Sequence, residues 1–165
     1  MEIEYNDVVD EKDRVIGKAT KQEVNEKKLR HRIVHVLLFN KKGEMALQLR
    51  HRNHKYCPHH WSTAVGGYVQ AGESYEQGAL REYEEELGTR SEMKFLFKEL
   101  YKVPGVAEKF IVVYTTTYEG KFDIDTEKVE KVEYFSLKKI QEMIDSEEKF
   151  HPELLFILRK YYGLK

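Results

Sequence analysis

Between Gly66 and Thr89 runs GGYVQAGESYEQGALREYEEELGT, and no other stretch limits this chain's fold and chemistry as much. Four of the five residues from Glu82 to Glu86 are glutamates. Like charges three or four residues apart on a helix repel one another, so such a run is costly to build for packing alone. It asks for a cation. Ser74 followed three residues later by Gln77 spells a capping box, and Gly88 supplies the left-handed residue that ends a helix. Between them Tyr75, Ala79, Leu80, Tyr83 and Leu87 recur at helical spacing and predict an apolar face. On that helix Glu82, Glu85 and Glu86 stand at i, i+3 and i+4 and share one face, beside the apolar one. Three converging carboxylates suit a hard cation, Mg²⁺ or Mn²⁺, which keeps waters and binds a few carboxylates together with substrate phosphates. Gly78 falls on the same face one turn earlier. It either leaves room for an ion or phosphate or is a tolerated helix glycine.

The remainder reads as alternating strands and helices. Glu2 to Val9 and Arg14 to Gly17 are predicted as short strands, and Lys21 to Lys28 as a short charged helix. Leu29 to Asn40 predicts a long central strand, Asn40 to Gly43 a hairpin turn, and Glu44 to Arg50 its partner strand. Trp61 to Val65 leads as a short strand into Gly66-Gly67. Strands are expected at Met93 to Val103, Lys109 to Tyr118 and Lys131 to Phe135. Helices are expected at Ser136 to Ile144 and, after Pro152, at Glu153 to Tyr162. This order predicts mixed α/β in one domain of 165 residues, long enough to bury a core without staples. The net charge of −1 argues against a nucleic-acid polymer as partner. Cys57, the single cysteine, permits no internal disulfide and fits a reducing compartment. The acidic start is unlike a signal peptide and the apolar runs are too short for a bilayer, so the expected location is the cytoplasm, with no membrane partner.

The central stretch resembles the signature box of the Nudix hydrolase family: G, five residues, E, seven residues, R-E, apolar, any, E-E, any, G, apolar. Gly67, Glu73, Arg81, Glu82, Glu85, Glu86 and Gly88 fill its seven fixed positions, while Tyr83 and Thr89 stand where aliphatics are usual. The resemblance implies an α/β/α sandwich with a mixed sheet and the box as loop–helix–loop. One Nudix domain would then span residues 1–165, with 1–28 as an N-terminal extension. It also implies divalent-metal-dependent hydrolysis of a nucleoside diphosphate linked to another group. Glu82, Glu85 and Glu86, with the Gly66 carbonyl, would hold metal. Glu73 and Arg81 would form a structural ion pair. Glu85, or second Glu82, would take the proton of the attacking water. Glu108 is a candidate base outside the box, though a plain loop carboxylate is the simpler reading.

Leu29-Arg30-His31-Arg32, Leu38-Phe39-Asn40 and Trp61 to Gly67 are further similar to segments of isopentenyl diphosphate isomerases, which share the Nudix fold. Those enzymes use a cysteine and a histidine where this chain has Gly66 and Tyr68, and a further histidine, seven residues before His31, where it has Val24. The resemblance therefore implies an isomerase-like hydrolase. Isomerase-like activity and a non-catalytic nucleotide-binding module are the alternatives. His31 and His35 read as structural, Cys57 as a packing residue, and the loop histidines His51, His54, His59 and His60 as a weak zinc pattern. Arg50, Arg52 and Lys55 are candidate phosphate donors as much as surface charges. The extra N-terminal strands offer a surface on which a homodimer could form.

Overall fold

The computed structural model describes residues 2–165. A hairpin of β1 (Tyr5–Val9) and β2 (Val15–Thr20) precedes the short helix α1 (Lys21–Glu26). Then come β3 (His31–Phe39), β4 (Met45–Arg50), β5 (Trp61–Thr63), β6 (Val65–Tyr68) and α2 (Tyr75–Leu87). The chain continues through β7 (Lys94–Tyr101), β8 (Lys109–Thr117), β9 (Val129–Phe135), α3 (Leu137–Asp145) and α4 (Pro152–Tyr161). The predicted elements are all present, within a few residues at their ends.

β3 runs parallel to β8 from His31↔Lys109 to Phe39↔Thr117, and β7 pairs antiparallel with β8. The sheet is mixed, with helices on both faces: an α/β/α sandwich. Alternation along β3 and β8 sorts the side chains. Val34, Val36, Leu38, Val112 and Tyr114 pack with Ala79, Tyr83 and Leu87 of α2. Leu37, Ile111 and Val113 pack with Ile140 and Met143 of α3 and Leu154, Ile157 and Leu158 of α4. Burying one such side chain contributes about 1.5–3 kcal/mol. An exposed pair such as Arg90–Glu84 contributes about 0–1 kcal/mol, so the two cores hold the helices in place.

Two strand expectations change. β4 is not the full partner of β3: among the described residues they meet only at Phe39↔Met45, beside the turn. β6 takes that edge of β3 instead, pairing from Ile33↔Tyr68 to Val36↔Val65, while β4 pairs with β5 and β9. The expected single strand from Trp61 to Val65 is accordingly two, and the chain crosses at Ala64 from β4's side to β3's. The box thus opens in a strand, with Gly66 and Gly67 in β6, and not in a loop. Past Met45, β3 and β4 diverge, and the space between them is open to a cavity.

The N-terminal hairpin forms its own small sheet and leans on this frame. Val9 N–H donates to Arg30 O at 3.0 Å and Ala71 N–H to Tyr5 O at 2.7 Å, while Arg32 pairs with Asp13 at 2.7 Å. Thr20 and Glu23 close a capping box on α1, and Val24 is fully buried.

Candidate active site

The capping box at Ser74 and Gln77 is formed (3.1 and 2.9 Å), and Gly88 ends α2 at φ 68°. The buried face of α2 comprises Gly78, Ala79, Tyr83, Glu86 and Leu87, so Glu86 belongs to it and Leu80 stands at its margin. A Cβ at Gly78 would lie 3.4 Å from Val69 Cγ2 and 3.5 Å from Glu73 Oε1. That glycine lets the preceding loop approach the helix, and the space next to it is filled by Val69 and not open to an ion. Gly67 serves a closer approach: a Cβ there would lie 2.5 Å from Glu82 Oε1.

Arg81 organises the box carboxylates. Its guanidinium grips Glu73 with two bonds (2.7 and 2.9 Å), donates to Tyr68 O at 3.0 Å, and reaches Glu82 at 2.9 Å and Glu85 at 3.3 Å. Burial alone would lower its pKa; the hydrogen bond to Glu73 and the charge of Glu82 outweigh that and raise it. Glu73 is held below its usual value because the Arg81 and Gln70 N–H bonds outweigh burial. Glu86 is 5% exposed and has no cationic partner. It accepts hydrogen bonds from Gln48 Nε2 at 2.9 Å and, longer, from Gly66 N–H at 3.4 Å. Burial and then the charge of Glu82 push its pKa well up, and burial raises Glu82 despite Arg81. Three carboxylates therefore share one guanidinium, and Glu86 lies outside its reach. Among the described residues no three acidic, histidine or cysteine side chains are already gathered as an ion-holding group.

Glu82, Glu85 and Glu86 line a cavity of about 580 Å³, which occupies the divergence between β3 and β4. Ile33 and His35 of β3, Gln48 and Arg50 of β4 and Gly66 to Tyr68 of β6 all face it. Its cations come from elsewhere: Lys21 of α1, Arg50, Lys55, Lys128 and Lys109. Lys21, Arg50, Lys55 and Lys128 have no carboxylate within 4.0 Å among the described residues. Arg50 spends its hydrogen bonds on two carbonyls, Cys57 O at 3.1 Å and Tyr56 O at 2.9 Å.

A second charged cluster reaches the cavity from the opposite core. His35 Nε2 lies 2.8 Å from Glu153 Oε1, and Lys109 Nζ donates to Glu153 Oε2 at 3.1 Å. His35 Nδ1 lies 2.7 Å from Thr63 Oγ1, which itself donates to Val65 O. Both ring nitrogens are thus engaged, one by Thr63 and one by Glu153. Burial alone would raise the Glu153 carboxyl; the His35 bond and the Lys109 charge outweigh it and hold it far below the usual range. A Cβ at Gly66 would sit 3.1 Å from His35 Nδ1, so this ring fills the ground where an isomerase-like side chain would begin.

The other sequence candidates separate. Arg50 and Lys55 line the cavity. Arg52 does not: it is exposed and bonded to Glu130 at 3.1 Å. Glu108 also lies outside, paired with Arg30 at 2.8 Å. The loop histidines form no metal group: His54 bonds Lys128 O, His60 bonds Pro58 O, and His59 pairs with Glu130. Cys57 is half-buried and its carbonyl supports Arg50. His31 is buried, donates Nδ1–H to Leu29 O and stacks on Tyr68 at 4.9 Å. Its Nε2 has no partner, and burial brings its pKa down to about 4. Sequence reasoning missed Lys21, Gln48, Lys109, Lys128 and Glu153. Only Lys109, a lysine opening the most apolar strand, carried any visible signal.

The model of the NUDIX domain family matches residues 29–156. An uncharacterized Nudix hydrolase of Streptomyces coelicolor is 38% identical over 128 residues, covering 76% of this chain and 71% of that protein. Another, of Pseudomonas aeruginosa, is 43% identical over 96 residues, and the match spans 55% of this chain and 57% of that protein's length. An isopentenyl-diphosphate Delta-isomerase of Photorhabdus laumondii is more distant, at 26% over 143 residues, covering 84% of this chain and 81% of that protein. In fold, a crystal structure of DR0079 from Deinococcus radiodurans superposes with a TM-score of 0.81 at 23% identity, covering 96% of this chain and 99% of that one. No helix among the described residues is long and apolar enough to cross a membrane.

Proposed function

This chain belongs to the NUDIX domain family, and from that premise we propose that it hydrolyses the diphosphate of a nucleoside diphosphate linked to another group, with Mg²⁺ or Mn²⁺ as cofactor. The observation that carries the reading is the division of charge within one cavity. Carboxylates of α2 crowd onto a single guanidinium, while Lys21, Arg50, Lys55 and Lys128 have no carboxylate within 4.0 Å among the described residues. A diphosphate accompanied by a divalent cation satisfies both sides.

The donor set fits such an ion. Burial raises Glu82 despite Arg81, and burial and then the charge of Glu82 raise Glu86, as expected of buried carboxylates that are short of counter-charge. Their oxygens suit a hard cation. Glu82, Glu85, Glu86 and the Gly66 carbonyl would hold it. When bound it supplies neutralisation of phosphate oxygens and a lowered pKa for a coordinated water. Glu85 is exposed, with one long bond from Arg81, and so is free to take the proton as the water oxygen attacks phosphorus. Glu82, held at 2.9 Å by Arg81, is second for this role. A new P–O bond forms, the anhydride P–O bond breaks, and the leaving group keeps the electron pair. Arg50 and Lys55 meet the negative charge left on the departing phosphate. Glu73 and Arg81 position Glu82 and Glu85 without touching substrate.

The test is a panel of nucleoside diphosphate derivatives with Mg²⁺, comparing wild type with Glu85→Gln. Loss of a general base predicts turnover lower by about 10²–10⁴. No hydrolysis of any compound, or equal rates in the two proteins, refutes the proposal. Against the isomerase alternative stand Gly66 and Tyr68 in place of thiol and imidazole, and an isomerase relative that is only 26% identical. A non-catalytic module would be favoured by lost box glutamates, and all are present.

A further inference from the structure

In the proposed reaction the α2 carboxylates and the unpaired cations serve the diphosphate and its ion. The part of the cavity beside the start of α4 serves neither. There Trp61 and Phe150 form a parallel bridge, and both side chains sink into the core beneath α3 and α4. Their successors, Ser62 and His151, turn the other way and line the cavity. His151 N–H donates to Trp61 O at 2.8 Å, which holds the two segments side by side. Ser62 and His151 are 6% and 7% exposed.

The fold accounts for only half of His151. It is the N-cap of α4, and its Nδ1 accepts from Glu153 N–H at 3.1 Å. An accepting Nδ1 leaves the proton of a neutral ring on Nε2, as a donor. Burial, opposed by Glu153 and aided by His35, Arg50 and Lys109, brings the pKa of this ring to about 4, so it is neutral near pH 7. His31 Nε2 is the only side-chain polar atom among the described residues that is both sealed and unpaired. His151 Nε2 and Ser62 Oγ have no partner among those residues either, so both open on the cavity. Beside them the Tyr56 ring stands perpendicular to the imidazole, 5.6 Å between centroids, and is 53% exposed. The carboxylate here is already spent, since His35 and Lys109 take both oxygens of Glu153. What remains is two neutral donors and an aromatic ring. Such a wall offers little to a phosphate and suits a flat, uncharged group that carries acceptors.

We infer that Ser62, His151 and Tyr56 form a subsite for the base of the nucleoside, with His151 Nε2–H and the Ser62 hydroxyl donating to acceptors on its edge and the Tyr56 ring against its face. The inference rests on the proposed function for the presence of a nucleoside. It adds where in the cavity the base lies and which side chains read it.

The experiment is calorimetry with Mg²⁺ and the α,β-methylene analogues of ADP, CDP, GDP and UDP, whose bridging carbon resists hydrolysis. Methylenediphosphonate supplies the same group without a base. The proteins are wild type, Ser62→Ala and His151→Asn. Asparagine is a favoured N-cap and preserves the bond to the α4 backbone, but it is too short to place a donor where Nε2–H stands. Wild type should bind at least one nucleoside analogue at least about tenfold more tightly than methylenediphosphonate. Each substitution should cut that margin by about two- to tenfold, as for one neutral hydrogen bond, and leave the affinity for methylenediphosphonate within about twofold. A merely structural role would weaken both probes together. No margin in wild type, an unchanged margin in the folded variants, or equal loss of both probes overturns the subsite. Ser62→Ala removes one hydroxyl from a strand and carries the test if His151→Asn fails to fold. The hydrolysis panel separates the two claims. Turnover by wild type with the margin unchanged in the variants removes the base subsite and leaves the hydrolysis standing. No turnover of any compound, with the margin lost in the variants, does the reverse.

Discussion

Glu86 and Glu153 are both buried carboxylates on the wall of one cavity, 5% and 4% exposed, yet of the two only Glu153 has a cation bonded to it among the described residues. His35 and Lys109 bond its two oxygens and hold its pKa down. Glu86 has an amide, a distant backbone N–H and another glutamate, and its pKa rises. The first cluster is complete in the folded chain and ties β3, β8 and α4 together. The second has no cation bonded to Glu86 among the described residues, and that is where the proposed metal would stand. Burial is common to both residues; the missing counter-charge is what supports the proposal at Glu86.

The largest effect expected from this contrast is on stability. Glu153→Gln strands His35 and Lys109 in the interior, and breaking a buried pair costs about 3–5 kcal/mol. Urea unfolding should show the midpoint falling accordingly, and a loss under about 1 kcal/mol would break the comparison. Glu86→Gln should do the reverse. Removing a charge that the fold does not compensate should leave the metal-free melting temperature unchanged or raised. Turnover on a panel substrate should fall by about 10²–10³, as for loss of one electrostatic stabiliser. A clear drop in melting temperature would make Glu86 a structural residue.

The smallest effect is in pH. Burial brings the pKa of His31 and His151 from 6.5 to about 4. Glu153 opposes the shift at both, and the charges of Lys109 at both, and of His35 and Arg50 at His151, favour it. Between those values the unfolded chain binds more protons than the folded one, so stability rises with pH across the window and falls as the solution is acidified. From pH 6.5 to about 5 each histidine contributes at most about 2 kcal/mol. Chemical denaturation at stepped pH should show the slope, and His31→Phe should flatten it. An unchanged slope would show that His31 does not titrate as its burial demands.

The box was legible because its information is local. Ser74, Gln77 and Gly88 set the ends of α2 through bonds within a few residues, and helical spacing places Glu82, Glu85 and Glu86 together. The Glu73–Arg81 contact likewise spans only part of one loop and two turns. Less legible was the role of individual glycines: Gly78 reads equally as space for an ion and as space for Val69, and only the loop's path decides. Arg50 and Arg52, two residues apart, would share one face of a continued strand, but β4 ends at Arg50, and in the loop beyond it Arg52 turns to Glu130.

By itself, then, the sequence determined the helix, its caps, the row of carboxylates and the order of strands around them, since each rests on backbone geometry repeating over a few residues. Tertiary structure decided what those carboxylates face. β6 displaced β4 from the edge of β3 and opened the cavity between them. Pairing of β3 with β8 brought His35 to Lys109 and Glu153, and packing of α1 against Tyr68 brought Lys21 to the cavity that Arg50 and Lys128 also line. Such meetings join residues far apart in the chain, and their energies depend on which charges end up buried together, a quantity that no local spacing contains.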